Sequence, residues 1–178
     1  MKRLFIPLIL FLIIVLEGVA LDFLPMNLLS GDLLIIPHWL LISLLFVTLF
    51  YDKEETYYGV FYGVVFGLLF DIVYTGILGV YMFSYALGVF IVHELKKLAV
   101  LNFYVTTIFC VIALLIADVS ISIIFSAIGT VDMLWEDYFF YRLIPTILAN
   151  LLFFIILYPI CRKKLVKWSR EQLSDSTF

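Results

Sequence analysis

The chain carries little charge: Asp, Glu, Lys and Arg make up 14% of its 178 residues, against about 25% in soluble domains. So few charges cannot cover a surface that faces water, which excludes a water-soluble enzyme of this size. Cysteine is scarce as well. Cys110 and Cys161 are too few for a disulfide framework, and neither belongs to a C-x-x-C pair. The two histidines offer no metal motif. His93-Glu94-Leu95-Lys96-Lys97 starts like a zinc-binding H-E-x-x-H helix but puts lysine where the second ligand belongs. His38, beside Trp39, reads as an interfacial anchor. No glycine-rich phosphate loop follows a strand and no Ser/His/Asp set is evident. The chain is therefore read as non-enzymatic, without cofactor, metal or nucleic-acid partner.

What it has in abundance is apolar surface. Hydrophobic residues make up 65% and aromatic ones 18%, with a mean hydropathy of +1.19. A hydrocarbon core of about 30 Å takes roughly 20 apolar residues per helix. Six stretches approach that length, at 4–21, 33–50, 57–74, 77–92, 100–128 and 139–161. They are continuously apolar rather than alternating, which favours helices over a barrel. The over-long fifth is expected to tilt or to end near Ser126–Gly129. The expected fold is all-α, a single transmembrane domain over 1–178, with a basic tail at 162–178.

Basic residues orient it. Lys2, Arg3, Lys53, Lys96, Lys97, Arg162, Lys163, Lys164, Lys167 and Arg170 are ten of the eleven and fall on one side; Arg142 alone falls opposite. By the positive-inside bias both termini are cytoplasmic. Met1-Lys2-Arg3, an apolar stretch and Gly18-Val19-Ala20 imitate a secretory signal. Glu17 interrupts that stretch where a signal is neutral, so the reading favours an uncleaved span, with cleavage as the other option.

The residues that do not belong in lipid carry the rest. Gly59, Gly63 and Gly67 recur every four residues, and Asp71 takes the next place on that face. Such a stripe lets a neighbouring backbone approach closely, either within this chain or from a partner; Gly76 and Gly79 continue the small-residue pattern into a close hairpin with the fourth span, through the short turn Tyr74-Thr75-Gly76. Glu17, Asp71 and Asp118 are acids in the outer half of their spans, and Arg142 is the one cation at that level. An ionised group deep in the membrane costs at least about 2.5 kcal/mol, so pairing is expected, with Asp71 as the preferred partner of Arg142. Thr146 and Asn150 share a face with Arg142 at spacing four, and Pro145 frees a backbone carbonyl and kinks the helix there. Together these predict a polar patch in the outer leaflet half, either a shallow cavity or the glue of a buried interface. In the tail, Arg162, Lys163, Lys164, Lys167, Trp168 and Arg170 suit a short basic amphipathic helix on anionic lipid headgroups, or docking to a cytoplasmic protein.

Tyr58-Gly59-x-x-x-Gly63-x-x-x-Gly67-Leu68-x-x-Asp71, then Tyr74-Thr75-Gly76-x-Leu78-Gly79-Val80-Tyr81-Met82-Phe83, resembles the MreD family of rod shape-determining membrane proteins. Arg142-Leu143-Ile144-Pro145-Thr146-Ile147-Leu148-x-Asn150 resembles that family's last helix, in the form found in low-GC Gram-positive bacteria. The specific motifs cover some 35 residues. The resemblance implies a scaffold subunit of the cell-wall elongation machinery, the elongasome or Rod complex, in the bacterial plasma membrane. Its implied partner is a single-span MreC-type protein. Through that partner it is linked to MreB filaments and to the peptidoglycan-synthesising pair of a SEDS glycosyltransferase and a penicillin-binding protein. The implied fold is similar to the substrate-binding subunits of ECF vitamin transporters. A vitamin-binding subunit is accordingly the alternative function, although residues 4–15 lack the small residues spaced by four with which such subunits dock their coupling module.

Overall fold

A computed structural model of the chain describes residues 5–23, 34–130 and 134–175. Among them the chain forms six helical rods and no strand. These are α1 (Phe5–Phe23), α2 (Trp39–Phe50), α3 (Tyr58–Phe70, continued by a π-helical turn over Asp71–Thr75), α4 (Val80–Lys96), α5 (Phe103–Ala127) and α6. The last opens with Trp135–Asp137, widens into a π turn at Tyr138–Leu143 and continues as Ile144–Asp175. Tyr58–Thr75, Phe103–Ala127 and Trp135–Glu171 are long and apolar enough to cross a membrane. Lys2 and Arg3, and the expected starts of the first two spans at Leu4 and Leu33, lie outside the described residues, as do 176–178 of the tail.

The centre of the bundle is α2. Every one of its residues after Trp39 is buried, as befits a helix apolar on all faces. It is shorter than the expected span over 33–50, because residues 34–38 are not helical. Pro37 is the cause: its ring disfavours α geometry at Ile36. Twelve residues of helix reach only about 18 Å, so the second segment enters the bundle as an irregular strip before it coils.

The α3–α4 hairpin is built on glycines of two kinds. A Cβ on Gly67 would lie 2.7 Å from the Met82 Cα, and one on Gly63 3.4 Å from the Ala86 Cα. Gly59 faces Thr48 of α2. The stripe is thus occupied within the chain, in keeping with close helix approach through small residues. Gly76 and Gly79 do not extend the packing face, and the chain turns at Gly76 where the hairpin reading expected it to. They have φ of 69° and 99° with nothing within 4 Å of a Cβ, and they let the chain reverse in the left-handed region that L side chains avoid. That turn delays α4 to Val80, three residues beyond the expected start. Gly88 then takes the seam to α5, where a Cβ would meet the Ala113 carbonyl at 3.2 Å.

The two hairpin contacts differ enough to test. Gly67→Ala forces backbone apart and is expected to lower stability by about 1–3 kcal/mol, whereas Gly63→Ala meets only tight van der Waals contact and should lose far less. Thermal unfolding in detergent reads this directly, and equal melting temperatures for the two variants would contradict the geometry.

α5 starts where Asn102 caps it, its Oδ1 accepting the Val105 amide at 2.9 Å, and stops at Ala127 ahead of Gly129. The tail departs from expectation. No break separates it from the sixth helix, and Ile144–Asp175 is one continuous helix through Pro159. Leu165 is buried, while Arg162, Lys163, Lys164, Lys167 and Arg170 remain exposed.

Candidate functional site

A buried polar centre

The acids of the bundle have two different uses. Three of them satisfy amides at helix starts, where the first turn has no carbonyl partners of its own. Glu17 on α1, fully buried, accepts the Leu40 amide of α2 at 2.8 Å. Asp52, just after α2, accepts the Tyr58 and Gly59 amides of α3 at 3.1 and 2.8 Å. Asp71, at the end of α3, accepts the amides of Gly79 (2.9 Å), Tyr81 (2.9 Å) and Met82 (3.2 Å) as α4 begins. In each case a carboxyl oxygen faces the positive end of a helix. Burial pushes the Asp52 carboxyl up to about 6, while the Gly59 amide and the Lys96 ammonium pull it the other way. Lys96 donates to the Thr48 and Asp52 carbonyls at 2.6 and 2.9 Å, which ties the end of α4 to the end of α2.

Asp118 is different, and it corrects the expected pairing of Arg142 with Asp71. The carboxylate of Asp71 is taken up by the α4 amides. Arg142 instead points Nη2 at Asp118 Oδ1, 3.4 Å away, with its guanidinium 5.7 Å from the centre of the Tyr138 ring. Tyr138 donates to Asp118 Oδ2 at 2.6 Å. His38 also reaches Asp118, Nε2 to Oδ1 at 3.4 Å, and its Nδ1 lies 2.8 Å from the Tyr85 hydroxyl. The imidazole thus links the Asp118 carboxyl to the Tyr85 hydroxyl, with a partner on each ring nitrogen.

His38 is therefore no interfacial anchor. It is fully buried, and it is the site residue that sequence reasoning missed. The available signal was its position: a histidine at the Pro37 break of an otherwise apolar run, where backbone leaves the helix and polar partners are required.

Those partners come from α6. Irregular backbone inside an apolar bundle needs every N–H and C=O satisfied by protein. Leu34 N–H donates to the Tyr141 carbonyl at 2.8 Å, the carbonyl that the missing amide of Pro145 leaves open four residues on. Thr146 Oγ1 accepts the Ile36 amide at 3.2 Å and donates to the Leu34 carbonyl at 3.3 Å. Asn150 completes the strip, its Oδ1 accepting the His38 amide at 2.7 Å and its Nδ2 donating to the Ile36 carbonyl at 2.8 Å. The Arg142, Pro145, Thr146 and Asn150 face thus serves as the mould for residues 34–38. Pro145 itself sits in the first turn of the regular helix, directly after the π turn that carries Arg142.

Of the predicted polar patch, Asp118, Arg142, Thr146 and Asn150 gather around His38, while Glu17 and Asp71 sit at neighbouring helix starts. Among the described residues no group of three or more His, Cys, Asp or Glu could hold a metal ion. The chemistry on offer is cohesion: a cation neutralised inside an apolar bundle, and an irregular strip clamped to the last helix.

Comparison with known proteins

Apolar helices long enough to span a bilayer, enclosing a neutralised charge centre, are those of an integral membrane protein. The family model described as rod shape-determining protein MreD matches residues 2–167. The chain belongs to that family. The rod shape-determining protein MreD of Bacillus subtilis (strain 168) is 29% identical over 158 residues, covering 88% of this chain and 90% of that protein. No solved structure matches the chain.

Proposed function

We propose that this protein is a non-enzymatic scaffold subunit of the bacterial cell-wall elongation machinery, holding an MreC-type single-span partner in the plasma membrane. The observation that carries the reading is the MreD family match over nearly the whole chain. The family is a rod shape-determining one, and a role in cell shape follows for this member. Six spans forming one domain, both termini in the cytoplasm and a fold similar to ECF substrate-binding subunits complete the proposal. The clustering of basic residues at one end supports that orientation. Through the partner the subunit would reach the SEDS glycosyltransferase, the penicillin-binding protein and MreB filaments.

Internal geometry supports a scaffold. Asp52, Asp71 and Glu17 cap helices, and the Gly59, Gly63 and Gly67 face is filled by α2 and α4, so that face is not offered to the partner. Depleting the protein is expected to widen and round rod-shaped cells, and the tagged protein should co-purify an MreC-type partner. Cells of normal width, together with no such partner, would sink the reading.

The vitamin-binding alternative has one observation in its favour. A cavity of about 460 Å³ beside Trp39, Phe153 and Asn150 has the size of a small-molecule site. Against it, the Asn150 amide is already engaged by Ile36, His38 and Thr146, and the remaining lining is apolar. Calorimetric binding of a vitamin would revive it.

A further inference from the structure

The helices α1 and α6 lean on the buried α2 and leave a groove of about 180 Å³ between them. Its walls are apolar, with Ile9 and Ile13 from α1, Phe46 from α2 and Leu157 from α6. At its tail end the lining changes to Lys164 and Trp168. Among the described residues Lys164 is the one charged group lining the groove, and it is exposed. Lys164 thus puts a positive charge at the mouth while the interior is hydrocarbon-like. Just there the Phe5 and Trp168 rings, with centroids 6.3 Å apart, bridge α1 to α6.

We infer that this groove binds one anionic phospholipid, an acyl chain lying along Phe46 between α1 and α6 and the phosphate meeting Lys164. The occupant follows from the two ends. A membrane-crossing partner helix would have to continue past the Phe5–Trp168 bridge and would bury the Lys164 ammonium against apolar side chains, which is costly without a matched acid. A lipid ends at that bridge: its chain fills the apolar part, its phosphate supplies the charge, and the indole sits at the level between them, where tryptophan collects. The inference rests on the proposed reading that the tail leaves the bilayer on the cytoplasmic side.

The test uses the full-length protein reconstituted in phosphatidylcholine vesicles containing a trace of phosphatidylglycerol with a photoactivatable diazirine on its acyl chain. After illumination, peptides spanning 6–13 and 157–168 are expected to carry most of the label. Excess unlabelled phosphatidylglycerol should displace it and phosphatidylcholine should not. Loss of one basic contact near anionic lipid is worth about fivefold in binding, so Lys164→Ala should cut labelling by about that factor. Ile9→Trp fills the groove from an exposed position and should abolish labelling while leaving the basic mouth intact. Both substitutions are at exposed sites, and gel filtration with thermal melting checks that the variants fold. Label spread evenly over the lipid-facing helices, equal displacement by phosphatidylcholine, or undiminished labelling of Ile9→Trp would overturn the inference. So would cross-linking of a second copy or of a partner's span at the same peptides. A tail cysteine modified from outside intact cells would overturn the orientation instead, and the photolabelling is read independently of it.

Discussion

Asp71→Ala is expected to destabilise the protein by about 3 kcal/mol. A buried amide left without its acceptor costs about 1–3 kcal/mol, and Asp71 serves three amides, that of Tyr81 buried and those of Gly79 and Met82 part-buried. No second acceptor is at hand, because those amides open α4 and have no preceding turn to bond. The loss extends beyond α4. Tyr81 and Tyr85 follow within two turns, and Tyr85 is the partner of His38. Asp71→Asn keeps the shape and one acceptor oxygen, and it should fall between the parent and the alanine variant. Circular dichroism melting in detergent, with yield from membranes as a second readout, measures the series. An Asp71→Ala protein that melts at the parental temperature would mean that the amides find another partner.

Asp118→Ala should cost about 3–5 kcal/mol, the penalty for leaving a buried charge without its counter-ion. Here the orphaned groups are Arg142, 7% exposed, together with the Tyr138 hydroxyl and His38 Nε2. Removing both charges is expected to hurt less than removing one. Asp118→Leu combined with Arg142→Met takes the unpaired cation away and restores apolar packing, which in buried pairs is often close to neutral. The measurement is a double-mutant cycle on unfolding free energy. A large coupling between the positions is the expected outcome, and strictly additive losses would show that the two residues do not act as a unit. Because Tyr138 and His38 also bond Asp118, Tyr138→Phe with Asp118 intact should lose only about 1 kcal/mol, the worth of a single net hydrogen bond.

How far the residues alone led differs from element to element. The apolar runs of α3 and α5 read clearly because each is long, predominantly apolar and bounded by polar or glycine residues. The second segment read too long, since Pro37 and His38 sit inside an apolar stretch whose hydropathy hides that the chain there is not helical. Pro145 was legible as a residue that opens a carbonyl. That the carbonyl is Tyr141's, and that Leu34 occupies it, required knowing that residues 34–38 lie against α6, more than a hundred positions away. Gly63 and Gly67 were legible as a close-packing face, whereas Gly76 and Gly79 belong to the same small-residue pattern for an unrelated reason, a reversal in the left-handed region.

Composition and the spacing of apolar runs determined by themselves that this is a helical membrane protein, because lipid admits so few ways of satisfying a backbone. They also determined which residues could not be idle there, since a buried carboxylate or guanidinium is expensive wherever it lies. The tertiary structure alone decided the partners. Glu17 meets Leu40 across 23 positions and His38 meets Asp118 across 80. Each acid takes the nearest unsatisfied amide or cation, and every helix start offers chemically equivalent amides. Only the packing of the six helices brings the α4 amides to Asp71 and leaves Arg142 to Asp118.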